Sequence, residues 1–196
     1  MLKSFFRNIL FNRAWSKYRS LQPRMVYGVK FGGKKLPLTR ISSSSVVNSP
    51  DKLELDDNVF IGHFNFIEAS NGIEIKKGTQ ITNYISILSH SSHISIRLYR
   101  ENYRDQKNPI GYKKGRVKIG EYCFIGPHCT IMPGTTLGKG CLVQSHSLVK
   151  GDFPDFSIIG GRPAAVVGDT RKLDEKFLEE NDLLKKNYEA WVENVD

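Results

Sequence analysis

Five histidines are the side chains best suited to move a proton near neutral pH: His63, His90, His93, His128 and His146. An imidazole has an ordinary pKa of about 6.5, so much of it is neutral at pH 7 and free to accept a proton. A reaction at a poorly nucleophilic hydroxyl needs such a base. His90 stands in Ile87-Leu88-Ser89-His90, where a repeating pattern stops, and His93 follows three residues on. His128 and His146 are eighteen apart. The three cysteines, Cys123, Cys129 and Cys141, are odd in number and lack metal-ligand spacing. They imply reduced thiols rather than a disulfide framework or a tetrahedral metal site.

The elements that position these groups follow from a period of six. Residues 119–154 read, without a gap, IGEYCF, IGPHCT, IMPGTT, LGKGCL, VQSHSL and VKGDFP. Ile119, Ile125, Ile131, Leu137, Val143 and Val149 hold the first position of every unit, and a small residue often follows. Earlier units are less regular: LDDNVF, IGHFNF and IEASNG over 55–72, then IKKGTQ, ITNYIS and ILSHSS over 75–92. Neither a helix nor an ordinary strand repeats every six residues. Six fits a short strand plus a corner, with three units closing a triangular coil of eighteen residues and one aliphatic side chain pointing inward from each side. Stacked coils then pair as parallel strands around an aliphatic column. The spacing also puts His128 above His146 or below it, on one corner.

Two segments leave the rhythm. Residues 91–116 must loop out between ILSH and VKIG, and they carry seven basic side chains against Glu101 and Asp105. Long loops in compact domains are commonly functional. From Thr170 onward, Leu173, Phe177, Leu184, Tyr188 and Trp191 fall on one face of an expected helix that packs on the coil or a neighbouring subunit. At the other end, residues 1–50 hold ten basic side chains and no acidic one. Within them, Leu2, Phe5, Phe6, Ile9 and Leu10 recur at helical spacing, predicting an amphipathic basic helix that covers an open end of the core or lies on an anionic membrane surface. The start lacks a small-residue cleavage site, so no signal peptide is expected, and no run of apolar residues is long enough to span a bilayer. The expectation is a cytoplasmic protein, peripheral at the inner face of the membrane if the helix engages lipid.

Over roughly 55–168 the chain resembles the hexapeptide-repeat acyltransferase superfamily, and within it the sugar O-acetyltransferases. The most specific part is IMPGTTLGKGCLVQSHSLVKGDFPDFSIIGGRPAAVV, whose Gly160-Gly161-Arg162-Pro163-Ala164 turn is similar to the family's terminating motif. The resemblance implies an all-β solenoid, a left-handed parallel β-helix, although parallel crossovers are usually right-handed. It implies acetyl-CoA as co-substrate, no metal, and a homotrimer with active sites between subunits. Similar enzymes carry their catalytic histidine just before the extruded loop, which gives that role to His90. His93, Ser70 and Asn65 are placed with it in the acceptor site. The family's CoA contacts fall on Pro127, Ser145, Lys150 and Gly151, and Arg162 and Arg171 are the cations nearest the terminating turn. The small-sugar enzymes present an asparagine and an aspartate where Gly62 and Ser70 stand here, so a different, anionic acceptor is expected: a nucleotide-activated sugar, a lipid-linked saccharide or a polysaccharide unit. The implied organisation is a basic N-terminal segment with its helix over 1–40, the β-helix domain over 41–168 with its loop at 91–116, and a C-terminal α-helix over 169–196.

The expected function is acetyl transfer from acetyl-CoA to a sugar hydroxyl of a surface polysaccharide or its precursor, through a ternary complex. Three rivals remain open at this level. They are an N-acyltransferase for an amino sugar nucleotide, a zinc-dependent β-helix enzyme using three histidines, and a β-helix scaffold without catalysis. The net charge of +9 invites a nucleic-acid reading, but no recognition motif or interleaved aromatic pattern accompanies it.

Overall fold

The computed structural model describes residues 2–193, with side chains described from residue 11 to residue 193. The core is a three-sided prism. Face A stacks Arg40–Ile41 of the strand Lys34–Ser42, then Phe60–Ile61, Gln80–Ile81, Phe124–Ile125, Leu142–Val143 and the strand Ser157–Gly161, all parallel. Face B stacks Val46–Asn48, Phe66–Glu68, Ser86–Leu88, Thr130–Ile131 and Leu148–Val149. Face C stacks Leu53–Leu55, Ile73–Ile75, Val117–Ile119, Thr136–Leu137 and Asp152–Phe153. The chain visits the faces in the order A, B, C, so it also defines an AB, a BC and a CA edge.

The inward residues are those the period singled out. Ile61, Ile67, Ile75, Ile81, Ile87, Ile119, Ile125, Ile131, Leu137, Val143 and Val149 are all buried. A second ladder lies two positions before the first and includes Val59, Thr79, Cys123 and Cys141 on face A and Asn65, Ile85, Cys129 and Ser147 on face B. The cysteines are therefore core residues, and all three are free. Aliphatic side chains stacked in register remove a continuous apolar column from water, the main favourable contribution to the fold.

The eighteen-residue coil holds only in the turns just above the loop, and the last turn shortens to sixteen, Leu137 pairing with Phe153 and Val143 with Ile159. Ile125 pairs with Val143 and Ile131 with Val149, eighteen positions on. Below the loop Ile61 pairs with Ile81 and Ile67 with Ile87, twenty positions on. The two extra residues sit on the BC edge, where the step from Ile67 to Ile75 replaces the usual six with eight. The extruded loop leaves from that same edge.

The small second-position residues act through close approach, not through special backbone angles. A Cβ on Gly62 would sit 2.4 Å from the Thr82 carbonyl oxygen and 2.4 Å from Asn83 Oδ1, at an ordinary φ. The left-handed turn falls instead on the fourth position, where bulky residues occupy it on the AB edge: Phe64 (φ 58), Tyr84 (φ 59), His128 (φ 61) and His146 (φ 62). Their rings stack one above another at 5.2, 4.9 and 4.8 Å. Gly62→Ala is expected to destabilise the protein by about 1–3 kcal/mol, because the methyl group meets backbone that cannot yield. A urea midpoint within error of the parent would show that the coils tolerate the separation.

Both ends of face A are closed by antiparallel hairpins that the period did not reveal. Met25–Phe31 pairs with Lys34–Ser42 around the Gly32-Gly33 turn. The hairpin buries Leu36 and lays Val29 and Phe31 against the lower core. At the top, Ser157–Gly161 pairs with Ala164–Asp169 across Arg162-Pro163. Hairpins at both ends protect a sheet edge that would otherwise template further pairing. The β-structure thus begins inside the basic segment with its helix expected over 1–40, and a hairpin rather than a helix covers the open end. Helix α1 does form, over Leu2–Leu21, but contrary to expectation it is not amphipathic over that length, since its apolar positions are spread around the helix. The expected face of Leu2, Phe5, Phe6, Ile9 and Leu10 lies outside the described side chains.

Within the loop a short helix, α2 (Ser95–Tyr99), packs through the Ser95 hydroxyl onto the Ile110 carbonyl, and the Tyr99 hydroxyl accepts from the Ile110 N–H. Arg116 closes the loop by reaching Glu54 and Glu74 on face C at 2.7 and 3.1 Å. The C-terminal segment is two helices rather than one: α3 (Thr170–Leu178), capped by Asp169, and α4 (Asp182–Glu193). The chain breaks at Glu179–Asn181, so the apolar face divides between them. Trp191 packs edge-on against Tyr122, Phe156 and Tyr188, which seats α4 on the CA edge.

Candidate active site

The longer corner on the BC edge gives the chain room to fold Glu68, Ser70 and Asn71 back under the next coil. Ser70 lies twenty positions below His90, one coil of this lower register, and its hydroxyl is 3.1 Å from His90 Nδ1. Glu68 Oε2 is closer, 2.6 Å from the same nitrogen. The Ser89 hydroxyl donates to Oε2 at 2.9 Å, and the Ser70 backbone N–H donates to Oε1 at 3.0 Å. Asn71 ties the group together, its backbone N–H donating to the Ser89 hydroxyl and its amide to the Ser70 hydroxyl.

Glu68 is only 6% exposed. Burial alone raises its pKa, but hydrogen bonds from Ser70, Ser89 and the His90 ring outweigh that and hold it below the ordinary 4.5. An ionised Glu68 accepting at 2.6 Å puts the imidazole proton on Nδ1 and leaves Nε2 with its lone pair. The His90 side chain remains 30% exposed. Tyr112 from the loop stacks on the ring at 5.2 Å and fixes its plane, with Lys114 Nζ over the other ring at 5.6 Å. The main chain of His90 pairs with Lys114, so loop and base are held by one hairpin. A carboxylate–imidazole pair with one nitrogen free can take a proton from an attacking hydroxyl. Beside it is a cleft of about 330 Å³ lined by Ser70, Asn71, Tyr103, Gln106, Lys107 and Lys114 among others.

Glu68 escaped the sequence reading because it is twenty-two positions from His90, off the eighteen-residue register. The unit boundary that left Ile73-Glu74 unassigned was the available signal, since it marks a lengthened corner just after Glu68.

The other expected site residues divide by edge. His93 lies in the loop, exposed, with Nδ1 2.7 Å from the Ser91 hydroxyl. Asn65 does not belong to the acceptor site. It sits on the AB edge, buried, and its amide is spent inside the coil, donating to the Thr82 carbonyl and accepting from the Ile85 N–H. Pro127, Ser145 and Arg162 share the AB edge, where Arg162 Nε donates to the His146 carbonyl at 2.5 Å. Lys150 and Gly151 lie on the BC edge, above the loop. Arg171 is on the CA edge instead, held by Asp169 at 2.6 Å and lying over the Phe156 ring at 5.1 Å. Its helix-capping partner turns it away from both other edges, which removes it from the same phosphate site as Arg162. In the 131–134 corner the Met132 N–H donates to the Val149 carbonyl, so it is not available to an oxyanion.

Three larger hollows, of about 720, 630 and 440 Å³, lie along the CA edge and between α3 and α4, and no histidine lines them. Size does not outweigh chemistry here, because only the BC cleft adjoins an oriented base. Among the described residues, no three His, Cys, Asp or Glu side chains converge as a cation site.

Known proteins resemble this chain in sequence and in fold. The family described as bacterial transferase hexapeptide (six repeats) matches residues 116–151. A protein of Mycobacterium tuberculosis bearing an acetyltransferase name is 35% identical over 118 residues, covering 59% of this chain and 36% of the relative. The Escherichia coli protein WbbJ, named for O-acetyl transfer in lipopolysaccharide biosynthesis, is 27% identical over 114 residues, 57% of each chain. The chain thus spans between about a third and three fifths of these relatives' lengths. The crystal structure of a maltose O-acetyltransferase from Clostridium difficile superposes with a TM-score of 0.55 at 20% identity, over 65% of this chain and 64% of that one. Residues 116–151 match the bacterial transferase hexapeptide family, and the three-sided stack gives the chain the left-handed parallel β-helix fold of hexapeptide-repeat acyltransferases.

Proposed function

We propose that this protein moves an acetyl group from acetyl-CoA to a hydroxyl of a saccharide, with His90 as general base. The Glu68–His90 pair carries the proposal, because the carboxylate engages Nδ1 and leaves Nε2 for a substrate proton, while Ser70 and Tyr112, which touch the ring, line a polar cleft. In the reaction, Nε2 takes the hydroxyl proton as the oxygen attacks the thioester carbonyl. The tetrahedral intermediate collapses with cleavage of the C–S bond, and the imidazolium returns its proton to the departing CoA thiolate. Glu68 keeps its proton count throughout and stabilises the imidazolium. No acetyl-enzyme forms, and the buried cysteines take no part.

Lys107 and Lys114 in the cleft favour an acceptor bearing a carboxylate or phosphate. Likeness to a lipopolysaccharide O-acetyl transferase supports a surface polysaccharide or its precursor as the acceptor.

The reading includes a homotrimer. One prism places the expected CoA residues on two edges that flank face B: Pro127, Ser145 and Arg162 on one, Lys150, Gly151 and His90 on the other. A single chain cannot close both around one ligand. The outward row of face B is Val46, Phe66, Ser86, Thr130 and Leu148, without a charge, whereas that of face C is Glu54, Glu74, Lys118, Thr136 and Asp152. Turning face B to a threefold axis buries the uncharged row and brings the AB edge of one protomer to the BC edge of the next. Phe66→Asp is expected to give monomers by light scattering, since three carboxylates would meet near the axis. A variant that keeps the oligomeric mass of the parent would place the interface elsewhere.

The direct test incubates candidate glycan precursors, neutral and acidic, with acetyl-CoA and follows mass gain beside a His90→Ala control. Acetylation of a hydroxyl that His90→Ala abolishes is the expected result. Transfer only to amines, or transfer undiminished in the control, would sink the proposal.

A further inference from the structure

Helix α1 presents an aromatic stripe that no described residue covers. Phe11, Trp15 and Tyr18 follow at steps of four and three residues, and are 64%, 46% and 55% exposed. The rings stack along the helix, Phe11 on Trp15 at 6.3 Å and Trp15 on Tyr18 at 5.4 Å. Leu21 ends the helix, also exposed. Water-exposed aromatic rows of this kind are unfavourable unless a second phase takes them up.

The charge around the stripe indicates which phase. Arg13, Lys17 and Arg19 lie on the described part of the helix, and no acidic residue occurs before Asp51. The hairpin that follows belongs to the same end of the prism and adds Lys30, Lys34 and Lys35, all exposed. Lys30 stands directly across from Lys35 in the ladder. Like charges in opposed cross-strand positions repel. Among the described residues none of these six cations has an ion-pair partner. An acidic partner from outside relieves that repulsion, and a partner that also accepts tryptophan and tyrosine rings is an interfacial lipid layer. Among the described residues no helix is both long and apolar enough to cross a membrane.

We infer that the part of α1 over residues 11–21 lies in the plane of an anionic phospholipid surface, its aromatic stripe in the headgroup region, while the lysines of the Gly32-Gly33 hairpin contact the same surface. This inference is independent of the acetyl-transfer reading, since it uses no residue of the BC cleft. It is tested with the full chain and vesicles. Protein should sediment with vesicles of phosphatidylethanolamine and phosphatidylglycerol in equal parts, remain in the supernatant with phosphatidylcholine alone, and be released by high salt. The triple variant Phe11→Ser, Trp15→Ser, Tyr18→Ser should bind the anionic vesicles about tenfold or more weakly. Arg13→Glu with Lys17→Glu should do the same. An unchanged melting temperature in each variant shows that the prism is intact. Three results overturn the inference: equal binding to phosphatidylcholine, full binding by the triple serine variant, and a drop in the triple variant's oligomeric mass, which would assign the stripe to a second copy.

Discussion

Glu68→Gln is expected to lower kcat by roughly 10²-fold and His90→Ala by roughly 10² to 10⁴-fold, with KM for acetyl-CoA little changed in both. Gln preserves the shape of Glu68 but presents an amide N–H to a nitrogen 2.6 Å away. That donor favours the tautomer with the proton on Nε2, the atom that must accept the substrate proton. The two residues act as a unit, so adding Glu68→Gln to His90→Ala should cost almost nothing further. A purely structural role for Glu68 predicts the opposite: additive losses and a lowered melting temperature in the parent background. The pH dependence of stability supplies a separate readout. The folded-state pKa of Glu68 lies below its ordinary 4.5, so its contribution is fully present above that pH and is lost as pH falls through the folded value. Glu68→Gln should flatten this acid limb of the stability curve. Activity near neutrality is unaffected by Glu68 titration, because the carboxylate is ionised there throughout.

The parts of this arrangement that repeat were legible, and the parts that interrupt the repeat were not. Aliphatic residues at every sixth position are visible because each must point inward once per side, and a polar residue there would leave an unpaired group in the column. His90 was visible by position alone, as the last residue before the rhythm fails. Glu68 was not, since its link to His90 depends on a coil two residues longer than the pattern assumed. Asn65 misled for a related reason. A polar residue two positions before Ile67 looks free to face a substrate, yet that position is the second buried ladder, where an amide can satisfy the backbone of the coil above. The N-terminal hairpin carried a two-glycine turn signal in Gly32-Gly33, which the dense positive charge around it obscured. The break between α3 and α4 lies in polar residues that a helical pattern tolerates on its outer face. Arg171 shows the limit of proximity in sequence. It follows the terminating turn closely, but the antiparallel strand Ala164–Asp169 carries the chain across face A to another edge.

Mixing two inactive variants is expected to restore activity if the site is shared between protomers. His90→Ala removes the base on the BC edge. Ser145→Trp puts an indole on the AB edge, where Ser145 is exposed, and blocks the wall expected to carry CoA. Each homotrimer should be close to inactive. In a ring whose sites pair the BC edge of one protomer with the AB edge of the next, random assembly of equal amounts leaves about a quarter of the sites with both edges intact. Co-refolded mixtures should therefore recover about a quarter of the parental rate, and separately folded samples combined afterward should recover none until the subunits exchange. If His90 and Ser145 of the same chain served one site, no mixture could contain an intact pair, and the rate would stay at the mean of the two variants. The size of the recovery depends on edge pairing and not on how each variant fails, so it separates a shared groove from a self-sufficient prism even if both substitutions also weaken acceptor binding. The uncharged row on face B makes the first outcome the expected one, because it is that face which must be buried for the two edges to meet.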